Sequence, residues 1–401
     1  MIEFESFEWK SNPPKDIPFT QSNEFSKITF TGKSSDYQVA DTWYFSWASD
    51  DNLYSPFTDG TLQGIWSVSD KNWVLNHPNT KHYPNPSTGN AVAIGSDPTN
   101  LELRNIGLSF ADSYPYGGRY PCGTLVHDGI WYYGTYGLGP HGGTNYAGHI
   151  YNWPHLGAFV GFRTSIDFGK TWAECPHTPE NSIFKENGMC GYPIKIGSPH
   201  FVDFGKNMEH SPDGKAYLVA HGSDLKFYPP ERFEHLSWIT GDQIYMIRVT
   251  PSLETINDPD AYEFFSGYDE NNEAIWSKDF SKIEPMLEWQ DNTGCVTVTY
   301  NAPLKKYFMC VTDGGNTCTQ MNTYILESDK VDGPWKLVTY MENFGEQAYF
   351  VNFPSKFISD DGKTMWICYS GNFWKEYEGK TIKTNPPGSQ YGLVLQEIQI
   401  G

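Results

Sequence analysis

Basic residues, and arginine above all, are scarce in this chain of 401 residues. Lys and Arg together number 28 against 48 Asp and Glu, which gives a formal net charge of −20. The chain has no run of basic residues, and its arginines are scattered at Arg104, Arg119, Arg163, Arg232 and Arg248. A field of this sign repels a polyanion such as nucleic acid. We therefore expect no nucleic-acid partner, and a ligand that is neutral or weakly charged.

Long apolar runs are also missing, and no stretch approaches the length of a membrane span. The N-terminal residues MIEFESFEWKSNPPKD lack the basic region and apolar core of a signal peptide. The seven cysteines are an odd number without a C-x-x-C pair, which suits the reduced thiols of the cytoplasm. We expect a cytoplasmic protein with no membrane partner, and the sequence leaves the oligomeric state open.

The strongest pattern in the chain is a unit that recurs five times. Each copy is an apolar or aromatic strand, a turn, a second aromatic strand, and then a small or acidic residue next to Gly. The copies cover residues 40–60, 120–137, 198–222, 294–314 and 347–371, and their second strands carry Tyr54, Trp131, Tyr217, Tyr307 and Trp366. A supersecondary unit repeated at such intervals is typical of a propeller. The sequence therefore predicts an all-β protein, a β-propeller with five blades.

The two ends of the chain are predicted to share one blade. Each of the first four units is followed by a second, outer pair of strands, but the last is followed only by residues 391–400. Residues 25–31 can supply the missing strand, and this arrangement closes the ring and leaves no free edges. We expect a single domain over residues 1–401, with residues 1–24 as an N-terminal extension and residues 25–401 as the propeller.

A turn with a strong signature follows the third strand of the second unit. Residues 165–172, SIDFGKTW, match the pattern S-x-D-x-G-x-T-W. In such a turn the Asp bonds backbone N–H groups and the Gly supplies the backbone angle that the turn needs. We expect Asp167 to have a structural role at the rim.

These features resemble those of known β-propeller glycoside hydrolases. The turn at 165–172 is similar to the Asp box of sialidases. The five blades, Ala40-Asp41, the turn at 327–335 (ESDKVDGPW) and Glu346-Gln347-Ala348 resemble the arabinanase-type furanosidase clan. The resemblance implies a glycosidase in which Asp41 is the general base and Glu346 the acid. The clan's middle Asp has no counterpart, because the matching strand reads Ser198-Pro199-His200.

Strand polarity indicates where the candidate site lies. The first strand of each unit starts at the rim to which the second strand returns, so both ends meet at one mouth of the axial channel. Glycoside hydrolysis needs an acid and a second carboxylate. The polarity argument places there the candidate catalytic residues Asp41, Asp313, Glu346, His200 and His221, and the candidate substrate-binding residues Trp43, Asp59, Arg119, Tyr120 and Tyr349. His141 is a further candidate for substrate binding.

Several alternatives stay open at this stage. Asp59 and Asp313 both lie in Thr-Asp-Gly, where a plain turn Asp is an equal interpretation. The insert at 138–155, which carries His141, suits either a substrate lid or a packed connection. His200 and His221, with Tyr and Arg119, fit a polysaccharide or oligouronide lyase, and a non-catalytic glycan-binding propeller is a third option. No metal signature is visible, so we expect no cofactor, while a structural or catalytic metal ion remains an option. The expected partner is a carbohydrate.

Overall fold

The structure is a computed structural model. It describes residues 2–70, 74, 86–110, 119–141, 144–146, 149–151, 154–186, 193–227, 236–314, 321–345, 347–372, 376–377, 380–381 and 384–401. Strands dominate these ranges. Short 3-10 helices lie at Lys206–Met208, Pro259–Ala261, Phe280–Lys282 and Ser355–Phe357.

The strands form five antiparallel blades, as predicted. In chain order the first strands are β1 (Ile2–Glu3), β2 (Phe7–Glu8) and β3 (Ile28–Tyr37). The first blade contains β4 (Ser46–Trp47), β5 (Leu53–Phe57), β8 (Ser87–Ile94) and β9 (Glu102–Phe110), with the hairpin of β6 (Gly60–Leu62) and β7 (Ile65–Ser67) beside it. The second blade contains β10 (Arg119–His127), β11 (Ile130–His141) and β14 (Pro154–Ser165), and the small sheet of β12 (Thr144–Tyr146) and β13 (His149–Tyr151) lies between the last two in sequence.

The remaining blades follow the same plan. The third contains β15 (His200–Phe201), β16 (Ala216–Gly222), β17 (Gln243–Val249), β18 (Glu263–Tyr268) and β19 (Ala274–Ser277), with β20 (Leu287–Glu288) paired to β17. The fourth contains β21 (Val296–Asn301), β22 (Lys306–Asp313), β23 (Asn322–Ser328) and β24 (Lys336–Met341). The fifth contains β25 (Tyr349–Asn352), β26 (Thr364–Ser370) and β29 (Leu393–Ile400), while β27 (Glu376–Tyr377) and β28 (Lys380–Thr381) pair with each other.

The ring is closed by the two ends of the chain, and this prediction is confirmed. Strand β3 pairs with β29 in antiparallel register, with Ile28 opposite Ile400 and Phe30 opposite Ile398. Strand β3 begins three residues later than the predicted 25–31 segment and extends to Tyr37. Strands β1 and β2 both pair with β3, so the first residues lie along the outside of the fifth blade.

The outer edge of the second blade differs from the prediction of four strands in every blade. The predicted fourth strand, 171–174, is reduced to a single bridge between Thr164 and Ala173. Pro176 follows three residues later and has no N–H to offer a ladder, so pairing cannot continue past it. Within the turn, Asp167 accepts hydrogen bonds from the backbone N–H groups of Lys170 (3.1 Å) and Thr171 (2.9 Å).

Hydrogen bonds between inner strands hold the blades around the axis. At least one bond joins each neighbouring pair of blades, for example Val126 N–H to Ser46 Oγ, Gly123 N–H to Pro199 O, Asp203 N–H to Val298 O, Thr297 Oγ1 to Val351 O, and Asn352 Nδ2 to Trp43 O. The inner strands enclose a small axial cavity of about 30 Å³, which is enough for a water molecule. All five blades line it, through Tyr44, Gly123, His200, Thr297 and Asn352 among others.

The core lies between the blades and is rich in aromatic rings. Between the first two blades, Tyr54 packs edge-on against Trp131 at 5.2 Å, and Trp131 is fully buried. Two of the anchors identified in the repeats thus face each other across neighbouring blades, where large rings fill the space between the sheets. No helix in the described part of the chain has the length and apolar character needed to cross a bilayer.

Candidate active site

The axial mouth is built from the starts of inner strands and the ends of the strands that follow them. Asp41 and Thr58 face each other as a hydrogen-bonded pair, with N–H to O distances of 2.9 and 3.1 Å. Tyr120 lies opposite Tyr136 in the second blade, and Tyr349 opposite Ser370 in the fifth. The strand polarity inferred from the repeats therefore brings residues distant in sequence to one end of the axis.

Asp41 and Asp59 lie close together in the first blade. In a regular strand the side chain of Asp59 would point away from the face that Thr58 and Asp41 share. Asp59 instead has a left-handed backbone with φ of 49°, which interrupts that alternation. Its carboxylate accepts a hydrogen bond from the N–H of Ser69 at 2.9 Å. Asp41 is only 7% exposed, whereas Asp59 is partly exposed.

Three hydroxyl groups surround the carboxyl group of Asp41. Tyr349 donates to Oδ2 at 2.7 Å, and Thr42 donates to Oδ1 at 2.9 Å. The hydroxyl of Tyr391 contacts the same carboxyl group and lies 2.5 Å from the backbone carbonyl oxygen of Asp59. The fifth blade thus supplies two tyrosines to a carboxyl group of the first.

Burial governs the proton affinity of both carboxyl groups. The pKa of Asp41 is raised to about 8, mainly by burial and to a smaller extent by the nearby charge of Asp59, while the hydroxyls of Tyr349, Thr42 and Tyr391 partly oppose the rise. Burial also raises the pKa of Asp59, to about 6, against the hydrogen bond from Ser69. Because two adjacent carboxylates repel each other, the pair holds one proton near neutral pH. The more deeply buried Asp41 is its favoured carrier.

Backbone strain is concentrated around this pair. Thr42, next to Asp41, has φ of 66°, and Gln347 and Phe350, on either side of Tyr349, have φ of 59° and 56°. Left-handed backbone is costly for β-branched and bulky residues and persists where the surrounding structure imposes it. Strain of this kind is typical of functional sites, and here it fixes the two segments that carry Asp41 and Tyr349.

The two histidines form a second buried group at the mouth. The rings of His200 and Tyr44 lie 3.8 Å apart between centroids, and His200 Nε2 lies 3.4 Å from Ser198 Oγ. His221 Nε2 contacts the carbonyl oxygen of Ser237 at 2.8 Å. Burial lowers the pKa of His200 to about 3, with a smaller contribution from His221, and lowers the pKa of His221 to about 4. Both imidazoles are therefore neutral at pH 7.

The structure separates some of the other candidates from the pair. Asp313 accepts a hydrogen bond from the hydroxyl of Tyr340 at 2.7 Å, and this bond ties it to the outermost strand of the fourth blade. Trp43 is 1% exposed and stacks on Phe57 at 5.9 Å, so it packs the first blade and is not available to stack on a sugar. Tyr349 is 2% exposed, and it offers its hydroxyl to Asp41 rather than its ring to a ligand.

The remaining candidates are placed only in part. Tyr120 is partly exposed, with its ring 6.1 Å from that of Tyr136. The backbone of Arg119 pairs with Gly137 and that of His141 with Pro154, but their side chains lie outside the described residues. Glu346 also lies outside the described residues.

Sequence reasoning missed two groups. Tyr391 was counted only as part of the last strand, although third strands start at the rim where second strands end, so the same polarity argument could have found it. Glu186 lies outside the repeats and carries no signal in the sequence. Burial raises the pKa of Glu186 to about 7, against hydrogen bonds from the N–H groups of Lys195 (2.8 Å) and Ile196 (2.9 Å). Each carboxylate oxygen of Glu186 accepts one of these hydrogen bonds, so Glu186 links its own segment to residues 195–196, which lie just before β15.

The described residues of this site do not form a metal-binding cluster. Among the residues that the structure describes, no three His, Cys, Asp or Glu side chains converge in a way that could hold an ion. The chemistry available from the described side chains is that of a protonated and an ionised carboxyl group, with neutral imidazoles nearby.

Neither a family model nor a curated protein sequence matches the chain. Solved structures of similar arrangement were found. One is a GH43_1 enzyme from Xanthomonas citri complexed with xylotriose, at 12% identity and a TM-score of 0.46, covering 92% of this chain and 89% of that one. Another is the α-L-arabinofuranosidase PaAbf62A from Podospora anserina in complex with cellotriose, at 10% identity and a TM-score of 0.41, covering 99% and 97%. A third is the catalytic domain of a GH62 α-L-arabinofuranosidase from Coprinopsis cinerea, at 10% identity and a TM-score of 0.43, covering 98% and 97%.

Proposed function

We propose that the protein is a glycoside hydrolase that cleaves a neutral carbohydrate at the axial mouth. The observation that carries the proposal is the Asp41–Asp59 pair. Two carboxyl groups of unequal burial, one favoured as the acid and the other as the ionised partner, are what glycosidic bond cleavage requires. A binding module does not need a buried carboxyl group that holds a proton. Burying such a group costs folding stability, and groups with strongly shifted pKa values are concentrated at catalytic sites.

The two carboxyl groups are given different roles. Asp41, with its pKa raised to about 8, is the general acid that protonates the leaving oxygen. Asp59, partly exposed and bonded to the N–H of Ser69, is the carboxylate that activates water or attacks the sugar. This differs from the sequence-based expectation, in which Asp41 is the base and Glu346 or a histidine the acid. His200 and His221 are poor acids here because burial keeps both neutral.

The lyase alternative is less well supported. β-Elimination needs a base strong enough to remove a carbon-bound proton next to a carboxylate. Burial lowers the pKa of His200 to about 3, which makes it a weak base at the pH where it would act.

The finer resemblance, that the turn at 165–172 is an Asp box, is also a proposal. Its support is the set of hydrogen bonds that Asp167 accepts within the turn.

The test is a screen of aryl furanosides, aryl pyranosides and neutral oligosaccharides, combined with isosteric variants. Asp41→Asn and Asp59→Asn should each lower kcat/KM by roughly 10²–10⁴-fold, the usual contribution of acid–base catalysis. The matched control is Asp203→Asn, which alters a partly exposed carboxyl group that accepts from Ser355 and Gly205 beyond β15, and it should retain activity. Full activity of Asp41→Asn, or release of an unsaturated uronate by the wild type, would overturn the assignment.

A further inference from the structure

The side chain of Asp41 is fixed by two tyrosines that come from the blade in which the chain ends meet. Tyr349 starts β25 and bonds Asp41 Oδ2 at 2.7 Å, and Tyr391 lies two residues before β29. We propose that Tyr349 and Tyr391 are a pair of positioning residues that orient the carboxyl group of Asp41 and stabilise it once it has given up its proton. This inference rests on the proposed function, because it assigns Asp41 a proton-transfer role.

Tyr349 is held in place from several sides. Its ring packs edge-on against Trp238 at 5.0 Å and against Phe350 at 4.8 Å. The left-handed backbone at Gln347 and Phe350 fixes the segment on both sides of it. Since the ring is locked, its hydroxyl can meet the carboxyl group of Asp41 without losing further side-chain entropy. Precise orientation of this kind is what a proton-transfer group needs.

Tyr391 completes the arrangement from the open side. It is partly exposed, and its hydroxyl lies between the backbone carbonyl oxygen of Asp59 and the carboxyl group of Asp41. It also contacts the hydroxyl of Tyr349. A single hydroxyl proton can be donated to only one acceptor at a time, so Tyr391 can turn from the carbonyl oxygen to Asp41 when that group becomes negative.

Both hydroxyls favour the ionised form of Asp41. A donor bonded to a carboxylate stabilises the charge and lowers the pKa, so each tyrosine opposes the rise that burial causes. The titratable groups that face this carboxyl group are Asp59, Tyr349, Tyr391, Tyr44 and Tyr136. The phenols remain neutral throughout the working range, since burial raises the pKa of each. Asp59 is therefore the competing charge, and its coupling to Asp41 is measured by repeating the titration in Asp59→Asn.

The experiment compares Tyr349→Phe, Tyr391→Phe and the double variant with the wild type. Carbon-13 NMR of labelled aspartate carboxyl groups, with the signal of Asp41 assigned from Asp41→Asn, gives its pKa without any turnover. We expect each single variant to raise that pKa by about one unit, the usual effect of losing one donor to a carboxylate. The double variant should raise it further, and kcat should fall while KM changes little.

The matched control is Tyr54→Phe, which removes a tyrosine–aspartate hydrogen bond of the same length, 2.7 Å, from Tyr54 to Asp50. It should leave the titration of Asp41 unchanged. If the Asp41 pKa responds to neither Tyr349→Phe nor Tyr391→Phe, the inference is wrong even when the wild type hydrolyses glycosides. If the pKa responds but the wild type cleaves no glycoside, the proposed function fails while the hydrogen-bond assignment stands. Should Tyr349→Phe fail to fold, the partly exposed Tyr391 still provides the decisive variant.

Discussion

Asp41 and Asp59 lie on adjoining segments of one blade, and Asp59 is the more exposed of the two. Their burial separates two otherwise identical side chains into a proton carrier and a carboxylate. The separation depends on the backbone at Asp59, whose φ of 49° breaks the alternation of the strand.

The activity of the wild type should be bell-shaped in pH. Turnover requires ionised Asp59, whose pKa is about 6, and protonated Asp41, whose pKa is about 8, so kcat/KM should be highest between these values. A pH–rate profile on any substrate found in the screen measures both limbs. In Asp41→Asn the limb set by Asp59 should stay near pH 6, because Asp41 is already neutral over the range in which Asp59 titrates. A profile that rises without limit above pH 8 would contradict the role of Asp41 as acid.

Replacing Asp41 should stabilise the folded protein at neutral pH. Its pKa in the folded state, about 8, is above the ordinary value of 3.8, so the folded state holds a proton that the unfolded chain has released. Wild-type stability therefore falls as pH rises from about 4 to about 8, with a slope of at most about 1.4 kcal/mol per pH unit for one proton. Urea unfolding of wild type and Asp41→Asn across this range should show a gap that widens with pH. A constant gap would contradict the raised pKa.

The N-terminal segment should be tied to the fourth blade by a charge cluster around the buried Lys306. Lys306, 7% exposed, lies 2.7 Å from Asp329 and 3.5 Å from the buried carboxylate of Glu327, and it also contacts Glu24. Lys306→Met leaves Glu327 without its cation and should lower the free energy of unfolding by about 3 kcal/mol. The control is Lys330→Met, whose ion pair with Glu273 is solvent-exposed, and it should change stability little. Equal effects of the two substitutions would contradict the importance of burial.

Removing the Asp167 carboxylate should weaken the second blade without affecting chemistry. Hydrogen bonds from Thr171, Ser165 and Lys170 lower the pKa of Asp167 to about 2, so the ionised form stabilises the fold above its ordinary pKa, and this stabilisation is lost as pH falls towards 2. Asp167→Ala should lower Tm at pH 7, and the difference from wild type should shrink in acid. Its turnover should match that of wild type at temperatures where both are folded. A folded but inactive Asp167→Ala protein would show that the turn does more than hold the blade.

Most of the architecture could be predicted from the sequence, because the patterns that indicate it are local. The paired strands of each repeat, the aromatic anchors and the missing strand of the last unit can all be read over short windows, and five blades with β3 paired to β29 follow from them. Polarity also brought Asp41, His200 and Tyr349 to one mouth. The short fourth strand of the second blade was not predicted, although Pro176, which ends the pairing, is visible in the sequence. The single-domain organisation and the cytoplasmic location stay predictions.

By itself, the sequence determined the number of blades, the closure of the ring and the end of the axis at which to look for chemistry. Only the tertiary structure decided which side chains act together there. Tyr349 and Asp41 are 308 positions apart, and the hydrogen bond between them exists because the ring closes the fifth blade onto the first. The proton affinities were decided in the same way. A carboxyl pKa depends on burial and on the charges around it, and both are set by side chains brought together from the whole chain. The contacts made in the folded chain also decide that Trp43, a candidate substrate-binding residue in the sequence, packs inside the first blade, and that Tyr391 belongs to the candidate site.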